Sequence, residues 1–346
     1  MALDTIPKQE GGKLKAVASG TLPSGQPVVV NADGTVSAIE GEEFSQSLGS
    51  KVVFESGSIG GLTGAFDSNS NKVVLAYNDS GNSSYGTAVV GTVSGTSISF
   101  GTPVVFESAS VDECSAVFDS NSNKVVIAYK DGGNGDDGTA VVGTVSGTSI
   151  SFGSPVVFDG PTARVTRVSA TFDSTNNKVV IAYRNDSSSD KGFAIVGTVS
   201  GTSISFGAIA SVTGFAIDGI NALYDPTSQK TVVVYNDPND SYKADAVVGT
   251  VSGTSISFGS PVVLYDGTSG ARNFSSVAVE SLGKILVTFR NIFGSKNAFG
   301  YVGTVSGSSI TFGSSTTLNT DENSYGYVTY DTVADKFVYA YQYDTA

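Results

Sequence analysis

The chain of 346 residues holds no histidine and no tryptophan, and only one cysteine and one methionine. Without histidine there is no Ser-His or Cys-His nucleophile pair, no usual general base and no imidazole metal ligand. A lone Cys114 excludes an internal disulfide and any multi-cysteine zinc or iron-sulfur site. Cationic residues are scarce, 19 against 32 acidic ones, and the net charge of -13 argues against binding a phosphate backbone. Nucleic acid is therefore excluded as a partner. No apolar run approaches the roughly 18 residues of a membrane helix, so membrane insertion is not expected. No apolar signal-peptide core is legible at the start, Met1 to Gly12.

What is abundant is glycine (42), tyrosine (15) and phenylalanine (19), alongside small polar and β-branched residues. That composition reads as all-β. It also looks extracellular, which conflicts with the missing export signal; release on a virus particle reconciles the two.

The chain repeats itself openly. Gly-Thr-Val-Ser-Gly begins at Gly91, Gly143, Gly197, Gly249 and Gly303, at intervals of 52 and 54 residues. Its first four copies extend to an identical Gly-Thr-Val-Ser-Gly-Thr-Ser-Ile-Ser-Phe-Gly. A second element occurs six times: an apolar strand ending near an acid, a polar turn, then a lysine and another apolar run. Phe66-Asp67 to Lys72–Tyr77 is the first copy and Tyr330-Asp331 to Lys336–Tyr341 the last.

Each unit of about 53 residues therefore holds four strands, joined by Asp/Asn/Ser/Gly turns suited to hairpins. Four antiparallel strands per unit, with near-continuous apolar runs, predict a β-propeller whose blades bury both faces. Six leading hairpins against five Gly-Thr-Val-Ser-Gly hairpins leave the last unit short of two strands. Ser47–Phe54 matches Ser99–Phe106, and Pro27–Val30, Asn31–Gly34 and Thr35–Ser37 read as strand, turn and strand. The expectation is a six-bladed β-propeller of four-stranded antiparallel blades over residues 26–346, closed by N-terminal strands, with residues 1–25 as an attachment segment.

In an up-and-down blade, alternate turns fall on opposite faces. The turns between strands one and two and between three and four hardly vary. The loops between strands two and three, and the crossovers between units, vary in length and sequence, so ligands are expected there. All five arginines map to that face: Arg164, Arg167, Arg184, Arg272 and Arg290. The residue after strand two is polar throughout: Asn78, Lys130, Arg184, Asn236, Arg290 and Gln342. Together these nine positions are the candidate ligand site, with arginine able to grip a carboxylate bidentately. The competing reading is local pairing with Asp159, Asp186 or Asp266.

No catalytic residue, metal ligand or cofactor site is assigned. The Asp-Ser-Asn-Ser-Asn turns at Asp67 and Asp119 lack the glycine and bidentate glutamate of a calcium loop. They read as Asx turns with a cross-hairpin Asp–Lys pair. The acid pairs Asp112-Glu113, Asp136-Asp137 and Asp321-Glu322 read as solvated loop acids rather than glycosidase carboxyls. Cys114 reads as a small buried residue. The aromatic column Tyr77, Tyr129, Tyr183, Tyr235, Phe289 and Tyr341 reads as core between blades.

Two segments together carry a resemblance. One is Ala18-Ser-Gly-Thr-Leu-Pro-Ser-Gly-Gln-Pro-Val28 running into Val30-Asn-Ala-Asp-Gly-Thr-Val36; the other is the repeated eleven-residue string. The combination resembles virion structural proteins of marine tailed phages. The resemblance implies a non-enzymatic capsid-surface or tail-fibre protein, located on the virion surface. Its N-terminal segment would meet other virion proteins and its variable face a host cell-surface glycan. The second reading is an extracellular glycan-active propeller, sialidase-like or lyase; the third is a purely architectural decoration protein. The missing His, Trp and sialidase Asp boxes favour a non-enzyme.

Overall fold

The computed structural model describes residues 28–30, 36–38, 49–267, 269–293, 296–320, 323–332 and 336–343. The chain divides into two compact units, 1–50 and 51–346. In the first, Val28–Val30 pairs antiparallel with Val36–Ala38, as the strand-turn-strand reading expected. The attachment segment 1–25 and most of the closing segment before residue 49 lie outside the described residues.

The second unit is all-β, in consecutive antiparallel sheets. Five full repeat units begin with the lead strands Ile59–Asp67, Val104–Asp119, Val165–Asp173, Ile220–Asp225 and Ala271–Val279; the first two share one nine-stranded sheet through the long strand Val104–Asp119, and the other three form five-stranded sheets. A sixth lead strand, Asn323–Asp331, pairs with Lys336–Tyr343 as a hairpin. Each full repeat unit continues through a second and third strand to a fourth that is broken in two. Ser149–Phe152 pairs one half of the third strand and Val156–Asp159 the other.

The break falls at the glycine that ends the eleven-residue string. A Cβ on Gly101 would land on the carbonyl oxygen of Thr148, in the next repeat unit's tight turn, and Gly153 meets Thr202 in the same way. The glycine is thus required by close backbone approach. The second-strand lysines Lys72, Lys124 and Lys284 donate to Thr92, Thr144 and Thr304 at 2.6–3.0 Å. The Asp67 turn is an Asx turn, its Oδ1 accepting from the amides of Asn69 and Ser70. The expected Asp–Lys ion pair is corrected: among the described residues these lysines bond to threonine instead. No group of three or more metal-binding side chains occurs among the described residues.

Successive lead strands lie side by side and successive repeat units pack face to face. Tyr129, Val125 and Ile127 meet Val74, Ala76 and Phe106 across the first interface. Tyr183, Val179 and Ile181 meet Val126, Ala128 and Phe158 across the second. Val and Ile alternate toward both neighbours, which is why these second strands read as unbroken apolar runs. Tyr77, Tyr129, Tyr183, Tyr235 and Phe289 are buried as expected, but Tyr341 is 43% exposed.

A second device stitches the lead strands. Thr63, Ser115, Ser169 and Ser275 accept at their hydroxyls from the amides of Ala116, Ala170, Ala222 and Val328, at 2.9–3.1 Å. Each bond ties one lead strand to the next, 53 or 55 residues on.

Candidate functional site

Five of the six lead strands carry a β-bulge; Ile220–Asp225 pairs in continuous register. The register shifts between Gly60 and Thr63, Asp112 and Ser115, Thr166 and Ser169, Arg272 and Ser275, and Asn323 and Gly326. At the bulge Gly61, Glu113, Arg167 and Asn273 have φ between 52° and 56°. Non-glycine residues seldom occupy this left-handed region, and bulges re-aim side chains next to functional sites. Because the lead strands adjoin, the bulges bring successive units' residues together.

The result is a small cavity of about 210 Å³ lined by Glu113, Cys114, Arg167, Asp218, Arg272 and Phe274, among others. Three guanidinium groups converge on Asp218. Arg272 Nε lies 2.5 Å from its Oδ2, while Arg184 NH1 and Arg167 NH2 lie 3.6 and 3.7 Å from its Oδ1. Arg167 also donates from Nε to the Asp218 carbonyl at 3.0 Å, and its NH1 sits 3.8 Å from Glu113 Oε1. Its backbone amide donates to Glu113 Oε2. The contacts of 3.6–3.8 Å are ion pairs beyond hydrogen-bond reach, so the terminal NH groups of Arg167 keep donor capacity for a ligand, while Arg184 NH1 also donates to the Ile217 carbonyl at 3.5 Å. Arg272 further stacks over Tyr242, 4.7 Å from the ring centre.

Arg184 is anchored from below. Its Nε donates to Asp186 at 2.7 Å and Thr166 at 3.0 Å. Burial pushes the Asp186 carboxyl up, but the hydrogen bonds from Arg184 and Thr166 and the Arg184 charge outweigh it and hold the group below its ordinary value. Asp218 is itself positioned by a buried asparagine. Asn236 accepts at Oδ1 from the Gly219 amide (2.6 Å) and the Asp218 amide (3.3 Å), and donates to the Ala271 carbonyl (2.6 Å). Burial first, then the Asp112 charge, push the Cys114 thiol up to about 12, which disfavours its thiolate.

Of the nine candidate positions, Arg167 and Arg272 line this cavity, and Arg184 reaches its wall through Asp218. Arg290 is the cross-strand partner of Arg272. Arg164 and Lys130 form a separate pairing, both contacting Asp136 at 3.3–3.4 Å. The open polar ring expected after strand two is corrected for Asn78 and Asn236. Both are buried and donate to the next lead strand's backbone, Asn78 to Val111 at 2.5 Å. Gln342 lines a different, larger cavity with Tyr325, Tyr327 and Tyr341. The solvated reading of the acid pairs is corrected for Glu113, which pairs with Arg167, and for Asp137, which is buried.

Glu113 and Asp218 were not among the sequence candidates. The repeat carried a signal for Glu113: the column Gly61, Glu113, Arg167, Gly219, Asn273 and Tyr325 varies between units, two residues before a position that is Ser or Thr in four of the six.

No family model matches the chain, and no curated protein matches it. Solved structures do. A protein from Lactobacillus plantarum aligns at a TM-score of 0.53 and 12% identity, over 93% of each chain. Trypanosoma rangeli sialidase aligns at 0.51 and 14%, over 92% of this chain and 55% of that one, so this chain spans about half of the sialidase. A triple arginine-to-alanine mutant of AofleA from Arthrobotrys oligospora aligns at 0.52 and 8%, over 81% and 77%. At these identities the likeness is one of fold.

It nevertheless overturns the expectation of a non-enzyme. That expectation rested on absent histidine, tryptophan and Asp boxes, yet a protein of similar fold is a sialidase. Cleavage of sugar bonds runs on carboxylates rather than histidine, and Glu113 and Asp218 both line the arginine cavity.

Proposed function

We propose that the chain is a glycan-active propeller protein whose arginine cavity receives the carboxylate of an acidic sugar. One observation carries the reading: Arg167, Arg184 and Arg272, from two lead strands and one second strand, converge on a single carboxylate beside Glu113. At a net charge of -13, anion recognition needs such a local cluster, since the long-range field is repulsive. Asp218 holds the guanidiniums in place, and Arg167 NH1 and NH2 retain donors for the ligand's carboxylate. Glu113 and Asp218, both within 4 Å of the Arg167 guanidinium, are the acids available for sugar-bond chemistry. The Trypanosoma rangeli sialidase of similar fold has been solved with sialic acid, which makes that sugar the first probe.

The test is calorimetric binding of N-acetylneuraminic, glucuronic and galacturonic acids, together with release of a fluorophore from their aryl glycosides. Arg272→Ala should abolish binding of the recognised acid, and Glu113→Gln or Asp218→Asn should remove turnover. Absence of binding to all three acids by the unaltered protein refutes the reading.

Ring closure belongs to the same proposal: six blades, the last completed by strands from residues 26–54. Phe54 supports it. It packs tilted or edge-on against Tyr77 and Phe100 at 5.4–5.5 Å, as Phe106 does against Tyr129 and Phe152, and Phe158 against Tyr183 and Phe206. Phe106 and Phe158 each belong to the outer strand of a preceding repeat unit. A virion-surface location, with residues 1–25 meeting other virion proteins, rests on the two resembling segments. Mass spectrometry of purified particles tests it.

A further inference from the structure

The arginine cavity, at about 210 Å³, is smaller than the roughly 300–1,000 Å³ of typical ligand pockets. It has room for an acidic head and little more. A second cavity of about 840 Å³ adjoins it, and Glu113 and Cys114 line both. One wall of this larger cavity is Gly60, Gly61 and Leu62 of the first lead strand. The other is Tyr325 and Tyr327 of the last lead strand, with Tyr341 and Gln342 beside them.

The repeat explains why the chain opens there. Tyr325 occupies the bulge column that holds Glu113 and Arg167 in other units. Tyr327 occupies the column of Thr63, Ser115, Ser169 and Ser275, whose small hydroxyls stitch each lead strand to the next. A tyrosine is too long for that bond at the same spacing. Gly60 and Gly61 present no side chain from the other wall. Tyr325, Tyr327 and Tyr341 are 55%, 63% and 43% exposed, whereas the residues in the Tyr341 column of the five full repeat units are at most 1% exposed. In the fourth lead strand the column holds Asn221, which still meets the next lead strand by accepting at Oδ1 from the Ser276 hydroxyl. Three accessible tyrosines thus gather at a junction where the column residue is too long to stitch.

From this we infer that the tyrosine cavity is a subsite for a neutral sugar unit joined to the acidic unit held by the arginines. The inference rests on the proposed acidic-sugar reading and names its substrate class: an oligosaccharide with an acidic end and at least one neutral neighbour. Tyrosine suits that role, offering a flat apolar ring to the C–H face of a pyranose and a hydroxyl to its polar rim. Among the described residues lining the cavity only Glu113 is charged, and its negative charge favours an uncharged unit over a second carboxylate.

The experiment compares N-acetylneuraminic acid, 3′-sialyllactose and lactose by calorimetry and saturation-transfer NMR. The proteins are the unaltered chain, Tyr325→Ser/Tyr327→Ser and Arg272→Ala. Sialyllactose should bind the unaltered chain at least tenfold more tightly than the free acid. The double tyrosine variant should lose that gain and keep its affinity for the free acid, with an unchanged melting temperature because both side chains are exposed. Lactose should give saturation transfer with the unaltered chain and Arg272→Ala but not with the tyrosine variant. Equal affinity for acid and sialyllactose overturns the subsite while leaving the arginine reading intact. Lactose transfer without any acid binding overturns the arginine reading and keeps the neutral site. Silence of all three ligands overturns both.

Discussion

Replacing Asn236 with alanine tests whether the arginine cavity is held by the packing around it. Asn236 is fully buried and bridges the second strand of the fourth repeat unit to two segments at once. It receives the Gly219 amide at 2.6 Å and gives a hydrogen bond to the Ala271 carbonyl at 2.6 Å. Alanine removes both bonds and leaves those buried backbone groups without this partner. Each orphaned group costs about 1–3 kcal/mol, so the sum is roughly 2–6 kcal/mol. For a chain of this size that is a fall in melting temperature of roughly 3–8 °C. Differential scanning calorimetry measures it directly. Asp218 and Gly219 then lose their anchor, and Arg272 follows Ala271, so affinity for the acidic probe should fall at least tenfold at temperatures where the variant is folded. A melting temperature within about 1 °C of the parent, or full affinity in a destabilised variant, would refute the argument that this asparagine sets the site.

Tyr129→Ala should cost about 3–5 kcal/mol in chemical denaturation, since the ring is fully buried against Phe106; a loss under about 1 kcal/mol would mean that the sheets do not pack as described. Ser169→Ala should cost about 1–3 kcal/mol by orphaning the Ala222 amide, read from the same denaturation curves, and an unchanged midpoint would remove the stitching bond from the account. Alkaline pH should unfold the protein. Burial, then the Glu55 and Asp79 charges, push the Tyr77 hydroxyl up to about 12, and Tyr129, Tyr183 and Tyr235 are raised chiefly by burial as well. A raised acid is favoured neutral, so the stability it adds is complete below about pH 10 and is lost as pH rises toward 12. Tyrosinate absorbance should appear late and together with unfolding, and early, gradual ionisation of all fifteen tyrosines would contradict this. Chelators should leave the melting temperature unchanged, because the Asp67 carboxylate is engaged by its own turn.

Much of the fold was legible because it repeats. The eleven-residue strings marked each third and fourth strand, and the Asp-to-Lys hairpins marked each first and second. Periodicity is a local property, so strand number, turn chemistry and sheet order follow from sequence alone. The buried tyrosine column followed too, because a residue repeated at strand spacing in the middle of an apolar run has nowhere to go but the core.

Only the tertiary structure decided which of those residues meet. Arg164 and Arg167 stand three residues apart, yet one pairs with Asp136 and the other points at Asp218, because a bulge lies next to Arg167 and turns its side chain toward the neighbouring lead strands. Asn78 and Asn236 looked like surface ligands from their position after strand two, but face-to-face sheets turn them onto the next strand's backbone. Glu113 looked solvated beside Asp112; the left-handed bulge sends it to the arginines instead. Tyr341 looked like core and lies half open, because its hairpin carries a tyrosine where four of the other lead strands carry a small hydroxyl. A sequence determines what each unit can form by itself. Contacts between units 50 residues apart depend on the spacing of adjoining strands and the direction of a bulge, and those are set only when the sheets pack.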